Sequence, residues 1–264
     1  MPLAKLRALF SGKKEPRIPD PIWFETLAAL PFCGRLNAEE TNRLRALCER
    51  FLAEKEFATA GGLELNDAMT VSIAVQGCLP ILNLGLECYR DWLGIIVYPD
   101  EFVIPRQIED KDGVVHEYDD IASGEAWDGG PLLISWHDVQ MAGEGYNVVI
   151  HEFAHKLDML NGDADGIPPL PAGVSRARWE AVLLAAYENF CAQVDDAEAR
   201  EADDTIFDPY AAESTGEFFA VMSEVFFEEP VLLRAEYADF YALLCRFYRQ
   251  DPAARDEDQT GDNV

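Results

Sequence analysis

The sequence has no Cys-x-x-Cys pair and no apolar run approaching the roughly 18 residues that a membrane-spanning helix requires. It is also poor in positive charge: 21 Lys and Arg stand against 49 Asp and Glu, a net charge of −28. Each absence excludes something. The six cysteines (Cys33, Cys48, Cys78, Cys88, Cys191, Cys245) are scattered through apolar, helix-like contexts, where a free thiol behaves as a small hydrophobe. That argues against a disulfide framework and for a reducing, cytoplasmic setting. A field this acidic disfavours nucleic-acid phosphates and anionic membranes, and mildly attracts cationic groups such as a peptide amine or a divalent metal. Histidine is scarce as well, with four in 264 residues. Two of those four lie one helical turn apart.

What is present suffices for a full core, at 49% hydrophobic and 27% charged residues. There is no internal repeat and no low-complexity segment. Residues 1–20 carry Lys5, Arg7, Lys13, Lys14 and Arg17, an interrupted apolar stretch and no small-residue cleavage site. They read as a flexible basic arm rather than a signal peptide. Residues 21–92 are mainly helical, with helices expected at 22–32, 37–57 and 66–77. The second opens on a capping-box pair, Asn37 and Glu40. The middle changes to short β-like runs at 93–98, 102–104, 114–118 and 132–136, broken by Pro99, Pro105, Asp112-Gly113 and Gly129-Gly130-Pro131. Helices resume at 146–160, 175–195, 215–228 and 231–249. Residues 251–264 read as a disordered acidic tail. Helices, a small mixed sheet and helices again make an α+β pattern, with one domain over 21–250 whose chemistry-bearing core begins at 93.

The chemistry starts at His151-Glu152-Phe153-Ala154-His155, the His-Glu-x-x-His arrangement. On a helix, residues four apart share a face, so His151 and His155 can reach one ion. Glu152, rotated by about 100°, is offset toward a water beside that ion and suits a general base. The apolar flanks Val148, Val149, Ile150, Phe153, Ala154 and Leu157 call for a buried helix, and Asn161-Gly162 for its stop. A catalytic zinc site takes three protein ligands and keeps one position open. His116 and His137 lie upstream in expected strands, and Asn161 occupies the place where a third histidine six residues after His155 would fall.

A carboxylate from a later helix is therefore expected as the third ligand, with Glu213, Glu217 and Glu224 as candidates. Glu217 sits in a first helical turn beside Phe218, Phe219 and Val221, but Ser214-x-x-Glu217 is also a capping box that needs no metal. Glu224, seven residues on, shares its face. Spacing leaves both open. Asp158 is expected to orient a ligand, with a capping or solvated role as the competing reading. Glu144, in Gly143-Glu144-Gly145, suits either an α-amine or a turn. The 130–136 segment is expected to be the outermost strand at the cleft, holding an extended peptide by strand addition.

Larger segments carry a resemblance. Gly130-Pro131-Leu132-Leu133-Ile134-Ser135-Trp136, the run from His151 to Met159, Asn161-Gly162-Asp163, Asp208-Pro209-Tyr210-Ala211-Ala212, Glu217-Phe218-Phe219-Ala220-Val221 and Ser223-Glu224 resemble the Mlc titration factor A family, bacterial cytosolic zinc peptidases of the gluzincin type. The layout is also similar to the protease domain of anthrax lethal factor, with a Tyr seven residues before the ligand Glu. The resemblance implies a zincin-like fold and one zinc ion held by His151, His155 and Glu217. It implies Glu152 as general base and Tyr210 as an assisting hydroxyl. It further implies aminopeptidase-like cleavage of small peptides and binding of a glucose-responsive repressor of the Mlc type. The alternative is a repressor-sequestering protein whose zinc is structural or regulatory and whose hydrolysis is incidental. His137 departs locally from the resemblance, which implies a non-titrating polar residue there.

Overall fold

The computed structural model describes residues 17–109, 115–143, 145–202 and 204–255. The basic stretch before Arg17, Glu144 and the last nine residues lie outside them. Helix α1 spans Asp20–Ala29 and α2 spans Ala38–Glu54. Helix α2 is opened by the full capping box: Glu40 N donates to Asn37 Oδ1 at 2.9 Å and Asn37 N to Glu40 Oε2 at 3.1 Å. The helix expected to reach residue 57 stops at Glu54, because Glu56–Thr59 leaves it as strand β1 and pairs in parallel with β2 (Gly94–Tyr98). A main-chain ladder partner thus outweighs continued helical periodicity over four residues. Helix α3 (Asp67–Cys78) packs between, and Gly77 is required there: a Cβ would fall 2.5 Å from the Phe153 ring.

The sheet has the order β1-β2-β6-β5, with β5 at Gly124–Ala126 and β6 at Leu132–Ser135. β1, β2 and β6 are parallel and β5 runs antiparallel to β6. A separate antiparallel hairpin joins β3 (Phe102–Glu109) to β4 (Val115–Ala122). This corrects the expectation for 130–136: β6 is an interior strand, all four residues buried, with both ladders filled. Its run of apolar residues without alternation is that of a strand covered on both faces. The edge belongs to β5.

Below the sheet lies α5 (Val148–Asp158), buried along its whole length, after the short α4 (Trp136–Val139). Phe153 sits in an aromatic cluster, with ring centroids 5.1 Å from Tyr89, 5.6 Å from Trp92 and 5.8 Å from Phe51. The helical C-terminal part comprises α6 (Arg176–Ala199), α7 (Thr215–Glu228), α8 (Pro230–Glu236) and α9 (Ala238–Tyr248). The single helix expected over 231–249 is two, broken at Tyr237 in a non-helical conformation. The boundary residues are docked rather than trailing. Ile18 is buried and its N–H donates to Glu49 Oε1 at 3.0 Å. In the segment expected to begin a disordered tail, Ala253 is fully buried, its N–H donating to Tyr241 Oη at 2.9 Å, and Arg255 pairs with Glu40. Among the described residues no helix is long and apolar enough to cross a membrane.

Candidate metal centre

Helices α5 and α7 face one another, and α7 presents three carboxylates along one stripe. Glu217, Glu224 and Glu228 are separated by seven and then four residues, which at about 100° per residue returns them to the same face. Glu217 Oε2 stands 3.1 Å from His151 Nε2 and 3.1 Å from His155 Nε2, and the two nitrogens are 3.1 Å apart. Ser214 caps α7, accepting Glu217 N at 3.1 Å, but the reciprocal half of the capping box is not made. The Glu217 carboxylate turns to the imidazoles instead, leaving the capping alternative half realised.

Glu224 does something else. Its Oε1 lies 2.7 Å from His151 Nδ1, and its Oε2 accepts Asn147 N at 2.5 Å. With Nδ1 of His151 engaged by that carboxylate, Nε2 is the ring nitrogen left facing Glu217 and His155. Glu228 completes the stripe, accepting Gly143 N and Gly145 N at 2.8 Å each and Asn147 Nδ2 at 2.9 Å. It thereby fixes the loop that enters α5. Asn147 is the N-cap, accepting Ile150 N at 2.9 Å. At the far end of α7, Arg35 donates to the Phe227 and Glu228 carbonyls at 2.8 and 2.9 Å, satisfying two orphan C-terminal acceptors.

The electrostatics follow from burial and proximity. Burial opposes charge on His151, but Glu217 and Glu224 outweigh it and raise its pKa well above the usual value. Burial pushes Glu217 up, and the hydrogen bonds of His151 and His155 more than reverse this, holding it well below the usual carboxylate range. Glu152 is 5% exposed and its Oε2 has no hydrogen-bond partner among the described residues. Burial raises its pKa to about 7, against the pull of both imidazoles. Edge strand β5 passes directly over it: a Cβ on Gly124 would lie 2.6 Å from Glu152 Cγ. The Tyr210 ring centroid is 6.0 Å from that of His151, on a short 3-10 turn, Pro209–Ala212, preceding α7.

Asp158 does not reach either imidazole nitrogen. Its Oδ2 accepts Gly166 N at 2.7 Å, fastening the loop after α5, while Asp158 Oδ1 and His155 Nδ1 are both buried without hydrogen-bond partners among the described residues. Orientation of a histidine thus comes from Glu224, on the opposing helix. His137 is exposed and lies in α4 rather than in a strand; His116 belongs to β4. Two positioning residues went unread in the sequence: Glu228, detectable from its spacing to Glu217 and Glu224, and Gly124, for which the sequence offers no signal.

His151, His155 and Glu217 can hold a metal ion, and the donor set fits one. Donors about 2.1 Å from a tetrahedral ion lie about 3.4 Å apart, close to the 3.1 Å triangle found here. Two imidazole nitrogens facing each other and one carboxylate oxygen in a buried site are a poor hydrogen-bond arrangement and a good chelate. A family model described as glucose-regulated metallo-peptidase M90 matches residues 6–249. The chain belongs to this family. Among its relatives, Mlc titration factor A of Salmonella arizonae is 41% identical over 239 residues, 89% of this chain and 93% of that protein. Mlc titration factor A of Escherichia fergusonii is 39% identical over 249 residues, 93% and 92% respectively. Membership of a metallo-peptidase family implies a metal, and two imidazoles with one carboxylate are donors that suit zinc.

Proposed function

We propose that the protein is a cytoplasmic zinc metallopeptidase of zincin-like fold, with His151, His155 and Glu217 as ligands, Glu152 as general base and Tyr210 as an assisting hydroxyl. The observation that carries this reading is Glu152: a buried carboxylate beside the three ligands with one oxygen unpartnered. A purely structural site needs no such group and closes with a fourth protein ligand.

When bound, zinc supplies Lewis acidity, polarising a scissile carbonyl and making a neighbouring water easier to deprotonate. The chain's own residues do the rest. Glu152 accepts the proton at its free Oε2 and passes it to the leaving amine. The Tyr210 hydroxyl, whose pKa is raised by burial and by Glu217 and Glu213, stays protonated and donates to the developing oxyanion. Glu224 keeps His151 in its ligating tautomer. Strand β5, at the edge of the sheet, takes an extended peptide as an added strand directly above Glu152. Substrates are small peptides cleaved in an aminopeptidase-like manner.

The relatives' name supports a second, regulatory role, in which the protein binds an Mlc-type glucose-responsive repressor on another surface. In the alternative reading, sequestration is the function and hydrolysis incidental. Glu152→Gln against His155→Ala decides between them. The first should keep zinc and lose peptide hydrolysis, and the second should lose both. Wild-type cleavage by the Glu152→Gln protein would overturn the peptidase reading.

A further inference from the structure

A second group of metal-ligating side chains lies outside this centre. Strands β2 and β6 are parallel neighbours with Tyr98 opposite Ser135, so the segments leaving their C-terminal ends emerge side by side. His137 N donates to Pro99 O at 3.2 Å and ties the two together. Ser135 Oγ accepts Asp138 N at 3.3 Å, fixing the start of α4. As a result one ligand atom from each of Asp100, His137 and Asp138 lies within 4.8 Å of the others.

This is more than a cluster of surface charge. Asp138 is 7% exposed, and its Oδ2 is buried with no hydrogen-bond partner among the described residues. That oxygen stands 3.9 Å from His137 Nδ1, too far for a hydrogen bond. A buried carboxylate oxygen with no donor has lost its hydration without compensation. Asp100 completes the group, its orientation set by Glu101 N, which donates to Asp100 Oδ1 at 3.0 Å. Asp100 and His137 are exposed, giving an ion entry and room for water ligands.

We propose that Asp100, His137 and Asp138 form a second divalent-cation site, for a first-row transition ion of the Mn2+ or Zn2+ kind, independent of the His151/His155/Glu217 centre. One imidazole and two carboxylates are donors of intermediate hardness. Ca2+ asks for six to eight oxygens, more than these side chains offer. Ligation closes the 3.9 Å gap to about 3.4 Å, within reach of a small side-chain rotation. The ion gives Asp138 Oδ2 its missing partner and clasps the exits of β2 and β6 together.

The test uses the full-length chain loaded with one equivalent of zinc at physiological salt and titrated with Mn2+, the free ion being read by electron paramagnetic resonance. Wild type should take up one more Mn2+ per chain than His137→Ala or Asp100→Asn, both at exposed positions, with affinity falling by more than about 10-fold in each. Asp138→Asn, checked for folding by circular dichroism, should behave like them. His155→Ala, which disables the first centre and is titrated without added zinc, should keep the second. Equal Mn2+ uptake by wild type and His137→Ala means an adventitious ion only and overturns the proposal, as does loss of the Mn2+ site in a folded His155→Ala protein.

Discussion

His151 and Glu224 are joined across helices α5 and α7, Nδ1 to Oε1, at 2.7 Å, and this contact decides which nitrogen of the histidine faces Glu217 and His155. A carboxylate seven residues beyond another on one helix looks in sequence like a rival ligand. Here it acts on the ring from behind. Burial raises the Glu224 pKa, with His151 opposing, so the pair works as a hydrogen-bonded unit rather than as exposed charge.

Glu217 and Glu224 should therefore separate in a metal assay. Glu217→Ala removes a donor and should leave the protein without zinc after dialysis. Glu224→Ala leaves all three donors and should weaken zinc by roughly 10- to 100-fold, the usual cost of losing an orienting partner. Zinc retained at wild-type affinity in Glu217→Ala would sink the ligand set.

Glu152→Gln preserves shape and removes basicity. Its zinc content, measured by mass spectrometry, should equal that of wild type, while kcat for a peptide substrate should fall by roughly 10²- to 10⁴-fold.

Gly124→Ala should act at a distance from the metal. The new methyl would crowd Glu152 Cγ at 2.6 Å, so the carboxylate or strand β5 must shift. A displacement of about 1 Å costs on the order of 100-fold in rate. We expect that loss in kcat with zinc content unchanged. An unaltered rate would mean that Glu152 tolerates the displacement and that β5 does not position it.

Lys55 offers a test of stability against pH. Its Nζ donates to the Tyr89 carbonyl and, at 2.5 Å, to the Trp92 carbonyl, and it sits 3.8 Å over the Trp92 ring. Burial, with Lys156 nearby, lowers its pKa to about 8 despite Glu54. Below pH 8 the ammonium is charged folded and unfolded, and the full desolvation penalty applies. Between pH 8 and the ordinary lysine value near 10.4 the folded state holds fewer protons, so unfolding takes them up and stability rises with pH. Urea unfolding of wild type and Lys55→Met at pH 7.5 and 9.5 should show the wild-type free energy gaining on the variant at the higher pH. A constant difference would place the Lys55 pKa near its ordinary value.

The sequence by itself determined much of this protein. The helix carrying His151, Glu152 and His155 was legible because i, i+4 spacing and apolar flanks depend only on helical geometry, as was the start of α2 at Asn37. The α+β order was legible because Pro and Gly punctuate short strands locally. Tertiary structure decided what local patterns do not encode. Residue 56 left its helix because β2 offered a ladder. β6 became interior because β5, three residues with no periodicity to read, covered its edge. Asp158 turned to Gly166 while Glu224 took His151, because a carboxylate's partner is set by which helix packs opposite. The same packing brought Asp138 beside Asp100, thirty-eight positions away in sequence, through the parallel pairing of β2 and β6.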